Sequence, residues 1–471
     1  MGLGDIADGM LRRVEDAQAS TREALFDPVI RLGVTGLSRA GKTVFITSLV
    51  ANLLNRGRMP QLQAAADGRI ETVFLQPQPD DTIPRFEFER HLAALTGPEP
   101  HWPESTRAIS QLRLSLKVRR GSWVKGLSGP RTIHLDITDY PGEWLLDLPL
   151  MSVGYDDWAA ATIETARTRP ELAGPWLAAL DGIDPDAPLD ESVAQAQAHA
   201  FTDYLRGVRE AGLSGFAPGR FLMPGDLEGS PALTFAPLPP GAGRSGSLRR
   251  EFARRFEAYK RLVVKPFFRD HFARIDRQVV LMDALGAIHS GPQAVEDLRL
   301  AMKDILDAFR PGPNSWLTAI LGKRVERILF AATKADHLHH SQHARLAAIM
   351  AALLSDARSR ADFRGARTEA MAIASLRATV EQQVTHEGKP LDVVRGRLIS
   401  TGRQAALHAG DLPLDPARLL APARKGARAW LDDEYSVMQF APPEIDLAPG
   451  DGPPHIRLDR AAEFLFGDRL R

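Results

Sequence analysis

"GVTGLSRAGKTVFITSLVANLL", residues 33–54, decides the fold. Gly36 and Gly41 stand five positions apart, Lys42 and Thr43 follow the second glycine, and an apolar run follows them. That spacing is the G-x-x-x-x-G-K-S/T phosphate loop. Upstream, "IRLGVT" (30–35) reads as a short buried strand, and downstream residues 42–56 read as a helix, so the motif sits in the strand–loop–helix setting its mechanism requires. Glycines let backbone N–H groups turn toward phosphate oxygens, and the helix N-terminus adds a positive dipole end. Gly36, Ser38, Arg39, Ala40, Gly41, Lys42, Thr43 and Val44 are therefore candidate nucleotide ligands. Lys42 is placed to reach the β- and γ-phosphates, and the Thr43 hydroxyl to bind Mg²⁺.

A phosphate loop alone does not identify the base. "TKAD" (333–336) ends the strand pattern "RILFAA" and matches the T/N-K-x-D signature of Ras-like GTPases, giving Thr333, Lys334 and Asp336 as base-recognising candidates. A carboxylate there accepts from both N1–H and the 2-amino group of guanine; adenine offers an acceptor at N1 and no 2-amino donor, which leaves the acid unpaired. Ser375 and Leu376 end the next strand pattern, where GTPases carry an S-A-K loop. Leu376 and Arg377 depart from that pattern, so backbone contact alone is expected.

"DYPG" (139–142) matches D-x-x-G at the end of another strand pattern. Asp139 is placed to hold Mg²⁺ and the Gly142 N–H to sense the γ-phosphate. Glu143 stands where Ras-like proteins often have a water-orienting glutamine; it is a catalytic candidate, against the alternative of a solvated loop acid. The first switch needs a threonine, and Thr106 in "WPESTRAISQL" is the metal candidate, with Thr82 the weaker one. Arg107 is the candidate cation for the transition state.

Organisation follows from these anchors. Residues 1–28 read as an N-terminal amphipathic helix, and 29–145 as the first part of the core, including a hairpin of "ISQLRLSLKV" (109–118) and "TIHLDITD" (132–139). Residues 146–274 read as a mainly helical insertion. Residues 275–390 resume the core as strands 277–285, 327–333 and 369–375 alternating with helices 293–310 and 338–356, and 391–471 form a mixed segment. The fold class is α/β: a Ras-like P-loop NTPase core, mostly parallel with one antiparallel hairpin, carrying an inserted helical domain.

Composition narrows the rest. Lys plus Arg and Asp plus Glu both number 59, so no global field argues for nucleic acid or an anionic membrane surface. Cysteine is absent, which excludes disulfides, cysteine-ligated zinc and thiol catalysis. No secretory signal is read at the start, and the apolar runs are too short to span a bilayer, so a soluble cytosolic chain is expected. The basic segment 248–277 carries Phe252, Phe256, Tyr259 and Val263 along one stripe, read as core-facing. "DHLHHSQH" places His339 and His343 at helical i, i+4 spacing, but no third ligand is apparent, so a solvated histidine cluster is the reading.

The four motifs in GTPase order, D-x-x-G followed by glutamate, the long helical insertion, and the stretches "RQVVLMDAL", "FLMPGDLEGSPALTF" and "HIRLDRAAEFLFGD" together resemble the YcjX family of bacterial P-loop proteins. The resemblance implies a nucleotide-binding, Mg²⁺-using core and a link to envelope-stress regulons, where the family is encoded beside a predicted inner-membrane protein. It implies membrane contact that is peripheral at most. Members are often labelled ATPases, yet Thr333–Asp336 argue here for GTP. The expectation is a GTPase that binds GTP and GDP, hydrolyses slowly and acts as a conformational switch; the alternatives are an ATPase, or a nucleotide-dependent binding module with little hydrolysis.

Overall fold

The computed structural model describes residues 27–37, 40–104, 108–119, 130–211, 213, 217–308, 325–355, 366–430 and 435–471. The expected helix within residues 1–28, and Ser38, Arg39, Thr106 and Arg107, lie outside the described residues.

Seven strands form the central sheet: β1 (Val29–Gly36), β2 (Ile70–Gln76), β3 (Ser110–Val118), β4 (Arg131–Asp139), β5 (Arg277–Met282), β6 (Arg327–Ala332) and β7 (Arg367–Ala372). Their order is β2-β3-β4-β1-β5-β6-β7. Strand β1 lies parallel to β4 and β5, and the parallel run continues through β6 to β7. Strand β3 pairs antiparallel with both β2 and β4. The parallel strands consequently end along one edge of the sheet, where an open α/β sheet presents its ligand-binding loops.

Side chains alternate across this sheet, as the strand period requires. On β5, Val279 and Leu281 face one apolar core while Val280 and Met282 face the other. The first core packs against helix α1 (Lys42–Asn55), through Phe45, Ile46, Leu49, Val50 and Leu53, and against a C-terminal helix, Leu458–Phe466. The Asn52 amide donates to Pro453 O at 3.0 Å, tying α1 to the chain that leads into the C-terminal helix. On β3 and β4 the second face is polar, and Arg113 grips Asp136 with bonds of 2.6 and 2.8 Å.

The other core continues into the helical insertion. Helices Tyr155–Arg167, Pro170–Asp181, Glu191–Glu210 and Leu248–Tyr259 enclose an aromatic cluster. Trp158 stacks on Phe256 with ring centroids 4.9 Å apart, and Trp176 on Tyr204 at 5.0 Å. Stacked pairs of this kind add about 0.5–1.5 kcal/mol each beyond the area they bury. Phe252, Phe256, Tyr259 and Val263 are all buried, so the apolar stripe faces the core. Within the basic segment the helices Leu248–Tyr259 and Lys265–Asp270 are joined by a wider π turn at Lys260–Val264.

Two strand groups differ from the sequence reading. Strand β2 has no counterpart in the sequence reading, because Pro77 and Pro79 follow Gln76 and mask the short edge strand before them. A second, antiparallel sheet of β8 (Thr379–His386), β9 (Lys389–Arg397) and β10 (Gln404–Leu407) stands in the segment read as mixed, and its first hairpin straddles the boundary drawn at residue 390. Glu381, Gln382, Gln383, Thr385 and His386 give β8 no apolar alternation to read. Among the described residues no helix is long and apolar enough to cross a membrane.

Candidate functional site

At the end of β1 the chain turns into α1 through Gly41, whose φ of 79° lies in the left-handed region that favours glycine. Lys42 folds back over the loop, its Nζ donating to Gly36 O at 3.3 Å. Thr43 and the half-buried Val44 follow in the first turn of α1. Strand β4 ends at Asp139, which is 1% exposed. The next residue is stapled to β1 and β5: Tyr140 N–H donates to Val34 O at 3.2 Å, and the Tyr140 hydroxyl to Gln278 Oε1 at 2.8 Å. Gly142 then lies directly on the phosphate loop. A Cβ at Gly142 would meet the carbonyl carbon and oxygen of Gly36 at 2.7 Å and Leu37 N at 3.1 Å, so only glycine permits this approach. The D-x-x-G turn and the G-x-x-x-x-G-K-T loop are thereby in contact.

Glu143 is 4% exposed, and neither of its carboxylate oxygens has a hydrogen-bond partner among the described residues. The alternative of a solvated loop acid does not hold: the 3₁₀ turn Gly142–Asp147 is buried throughout, with the insertion packed on it at Gly219. A Cβ on Gly219 would meet Glu143 O at 1.9 Å, so the short helix Gly219–Leu222 presses on the Glu143 backbone. Arg220 places its guanidinium 3.1 Å from the Trp144 ring centroid. Asp147 Oδ1 accepts from Gly219 N–H at 2.6 Å, and Oδ2 accepts from the Tyr259 hydroxyl at 2.6 Å. Burial pushes the Asp147 carboxyl up to about 6, against the downward pull of those two hydrogen bonds. Burial also holds the Tyr259 hydroxyl well above its ordinary range, reinforced by the Asp147 charge.

The base-recognition candidates gather at the ends of β5, β6 and β7. Thr333 N–H donates to Met282 O at 2.8 Å, and Lys334 adopts a left-handed φ of 59° with its ammonium on Asp283. Asp336 is 4% exposed; its Oδ2 accepts from Ala378 N–H at 2.8 Å, and its backbone carbonyl accepts from the Thr379 hydroxyl. Ser375 and Leu376 are buried beside them, and Ala374 and Arg377 are fixed by backbone bonds to Ile456 and Pro454. Asp283 and the Ala378 N–H escaped sequence reading. Asp283 could have been found as a helix cap after a strand, since it accepts from Gly286 N–H at 2.9 Å; the Ala378 amide carries no sequence signal.

The histidine spacing is also corrected. Residues 337–342 run through 3₁₀ turns, and the helix starts at His343 rather than 338, so His339 and His343 share no helical face. His343 turns inward, with Nε2 at 2.8 Å from Ala335 O, and burial lowers its pKa. Thr82 sits in an exposed turn with its hydroxyl on Asp80 at 2.5 Å.

The sheet order and the adjoining phosphate-loop and D-x-x-G turns define a Ras-like P-loop core. The chain belongs to the YcjX-like family, DUF463, whose profile matches residues 30–470. It is similar to a protein of Escherichia coli (strain K12) named "Ras-like GTPase YcjX", with 39% identity over 464 residues that cover 94% of this chain and 97% of that one. A Shewanella oneidensis protein of the same name is 34% identical over 498 residues, covering 100% of both chains.

Proposed function

We propose that the chain binds GTP and GDP with Mg²⁺ and hydrolyses GTP slowly as a conformational switch. The observation that carries the choice of base is Asp336. Its buried carboxylate is oriented by the Ala378 N–H, which donates to Oδ2. That orientation suits the paired N1–H and 2-amino donors of guanine. Lys42 would bind the β- and γ-phosphates, and the loop amides from Gly36 to Val44 would cradle them. Gly142, packed against Gly36, would offer its N–H to the γ-phosphate.

Thr43 and Asp139, a hydroxyl and a buried carboxylate on neighbouring elements, are the oxygen donors a hard dication prefers, and the orphaned Glu143 oxygens add to that character. Mg²⁺ held there would neutralise charge on the phosphates. Glu143 would orient the attacking water, and Lys42 would offset negative charge as the γ-phosphoryl group departs in line. A second reading, nucleotide-dependent binding with little hydrolysis, draws on the packing of Gly219 against Glu143, which limits how that acid can move.

Equilibrium binding of labelled GDP and ADP to the wild type and to Asp336→Asn tests the base. GDP should bind far more tightly than ADP, and the substitution should erase the preference. Equal or tighter ADP binding would overturn it. Single-turnover phosphate release, with Lys42→Ala as the blank, tests hydrolysis.

A further inference from the structure

We propose that His339, His340 and Glu381 form a binding site for a borderline transition-metal dication of the zinc class, with Asp392 positioning His339. The sequence shows two neighbouring histidines and no third ligand. Folding supplies it, by laying β8 beside the turn that follows Asp336. One ligand atom from each of His339, His340 and Glu381 lies within 4.8 Å of the other two. His340 Nδ1 is 2.6 Å from Glu381 Oε2, and His339 Nε2 is 3.8 Å from the same oxygen. Metal–ligand bonds of about 2.0–2.2 Å in tetrahedral geometry place ligand atoms roughly 3.3–3.5 Å apart, so small rotamer changes complete the set.

The surroundings favour a metal over a chance cluster. His339 uses its two ring nitrogens for different work: Nε2 faces Glu381, while Nδ1 lies 3.4 Å from Asp392 Oδ2 and 2.9 Å from Ser341 Oγ. Ser341 Oγ makes the hydrogen bond on the far nitrogen and the Asp392 carboxylate stands just beyond it, and polar groups placed there help to fix the tautomer and orientation of a metal-bound imidazole. Arg377 lies 3.7 Å from Glu381 Oε1, which leaves Oε2 turned to the histidines. The His339 side chain is only 15% exposed, whereas His340 is 68% exposed and leaves a coordination position open to water. Two imidazoles and a carboxylate suit zinc and its neighbours better than Mg²⁺ or Ca²⁺. A bound ion would clamp the turn carrying Asp336 to the hairpin of β8 and β9, independently of which nucleotide the chain takes.

The test is a titration of zinc alone into the untagged, chelator-stripped full chain, read by competition with a chromophoric zinc indicator. One zinc per chain is expected, with an unfolding midpoint that rises with zinc concentration. His340→Ala and Glu381→Gln should each weaken binding at least ~10-fold, and Asp392→Asn roughly 10-fold through loss of orientation. His386→Ala, an exposed imidazole on the same strand, and Lys42→Ala should bind as the wild type does. His340 is exposed enough that its loss leaves folding intact, and the Glu381 variant supplies a second, near-isosteric probe. No stoichiometric zinc, or loss through His386→Ala equal to that through His340→Ala, overturns the proposal.

Discussion

The two ends of the candidate nucleotide site handle their acids in opposite ways. At the base end every charged group has been given its position: Asp336 is held by the Ala378 N–H, Lys334 by Asp283, and Asp283 in turn caps the helix Ala284–Ser290. At the phosphate end Glu143 is buried to the same degree with both oxygens unbonded among the described residues, in a turn whose polar ties to the insertion are made by Trp144 and Asp147 instead. A buried acid with no partner among the described residues lowers stability, and one kept next in the chain to Gly142, which packs on Gly36, points to work beyond folding. On the function proposed above, the base end would be preorganised to discriminate, and Glu143 at the phosphate end would make its bonds only with a ligand in place.

The largest effect should come from the preorganised end. Asp336→Asn turns one carboxylate oxygen into a donor facing guanine's own donors, and sites of this type discriminate by roughly 10⁴. Competition between GDP and ADP should show that ratio collapse while the fold, judged by its melting transition, stays intact. If the preference survives, the contrast between the two ends fails at its stronger side. Next in size is Lys42→Ala. Removing a charged group that acts on developing negative charge costs about 10²–10³ in turnover, which single-turnover phosphate release would register.

Asp147 offers a test that needs no nucleotide. Its carboxyl is raised from 3.8 to about 6 by burial, so the folded state holds a proton that the unfolded state has already released between those values. Stability contributed by this group is therefore full below pH about 4 and is lost as pH rises through 6. Two units correspond to about 3 kcal/mol. Urea unfolding of the wild type and Asp147→Asn across that window isolates the effect: their difference should grow in favour of the variant from pH 4 to 7. Asp297, likewise raised to about 6 by burial, changes both chains equally. A constant difference would mean that the link between the D-x-x-G turn and the insertion is not electrostatically loaded.

Much of the core was legible because its signals are local. Gly36, Gly41, Lys42 and Thr43 sit within eight residues, and Asp139 and Asp336 each follow a clear strand pattern. What escaped is long-range or carried by the backbone. The Ala378 amide that orients Asp336 has no side-chain signature, and Glu381 reaches His340 across 41 residues of sequence. Glu143 read equally well as a solvated loop acid, since nothing between 139 and 147 announces that Gly219 and Tyr259, far along the insertion, will bury that turn. The β8 hairpin was missed because its exposed polar residues follow no apolar period.

Glu143→Met sharpens the comparison at its weaker side, where stability and function should move apart. The substitution keeps the length and nearly the volume of the side chain while removing a carboxylate that has no partner. Relieving an unsatisfied buried polar group is worth about 1–3 kcal/mol, so the variant should unfold at higher denaturant than the wild type. GDP affinity should change little, because Asp336 and Lys42 are untouched. Phosphate release in a single turnover then separates the two functional readings. A more stable variant that binds GDP but releases no phosphate makes Glu143 the group that orients water, with its burial a cost retained for turnover. A more stable variant that releases phosphate at the wild-type rate removes Glu143 from the reaction. The Lys42→Ala blank decides whether lysine-dependent hydrolysis occurs at all, and with it whether the chain is a switch that turns itself off or a module that holds its nucleotide.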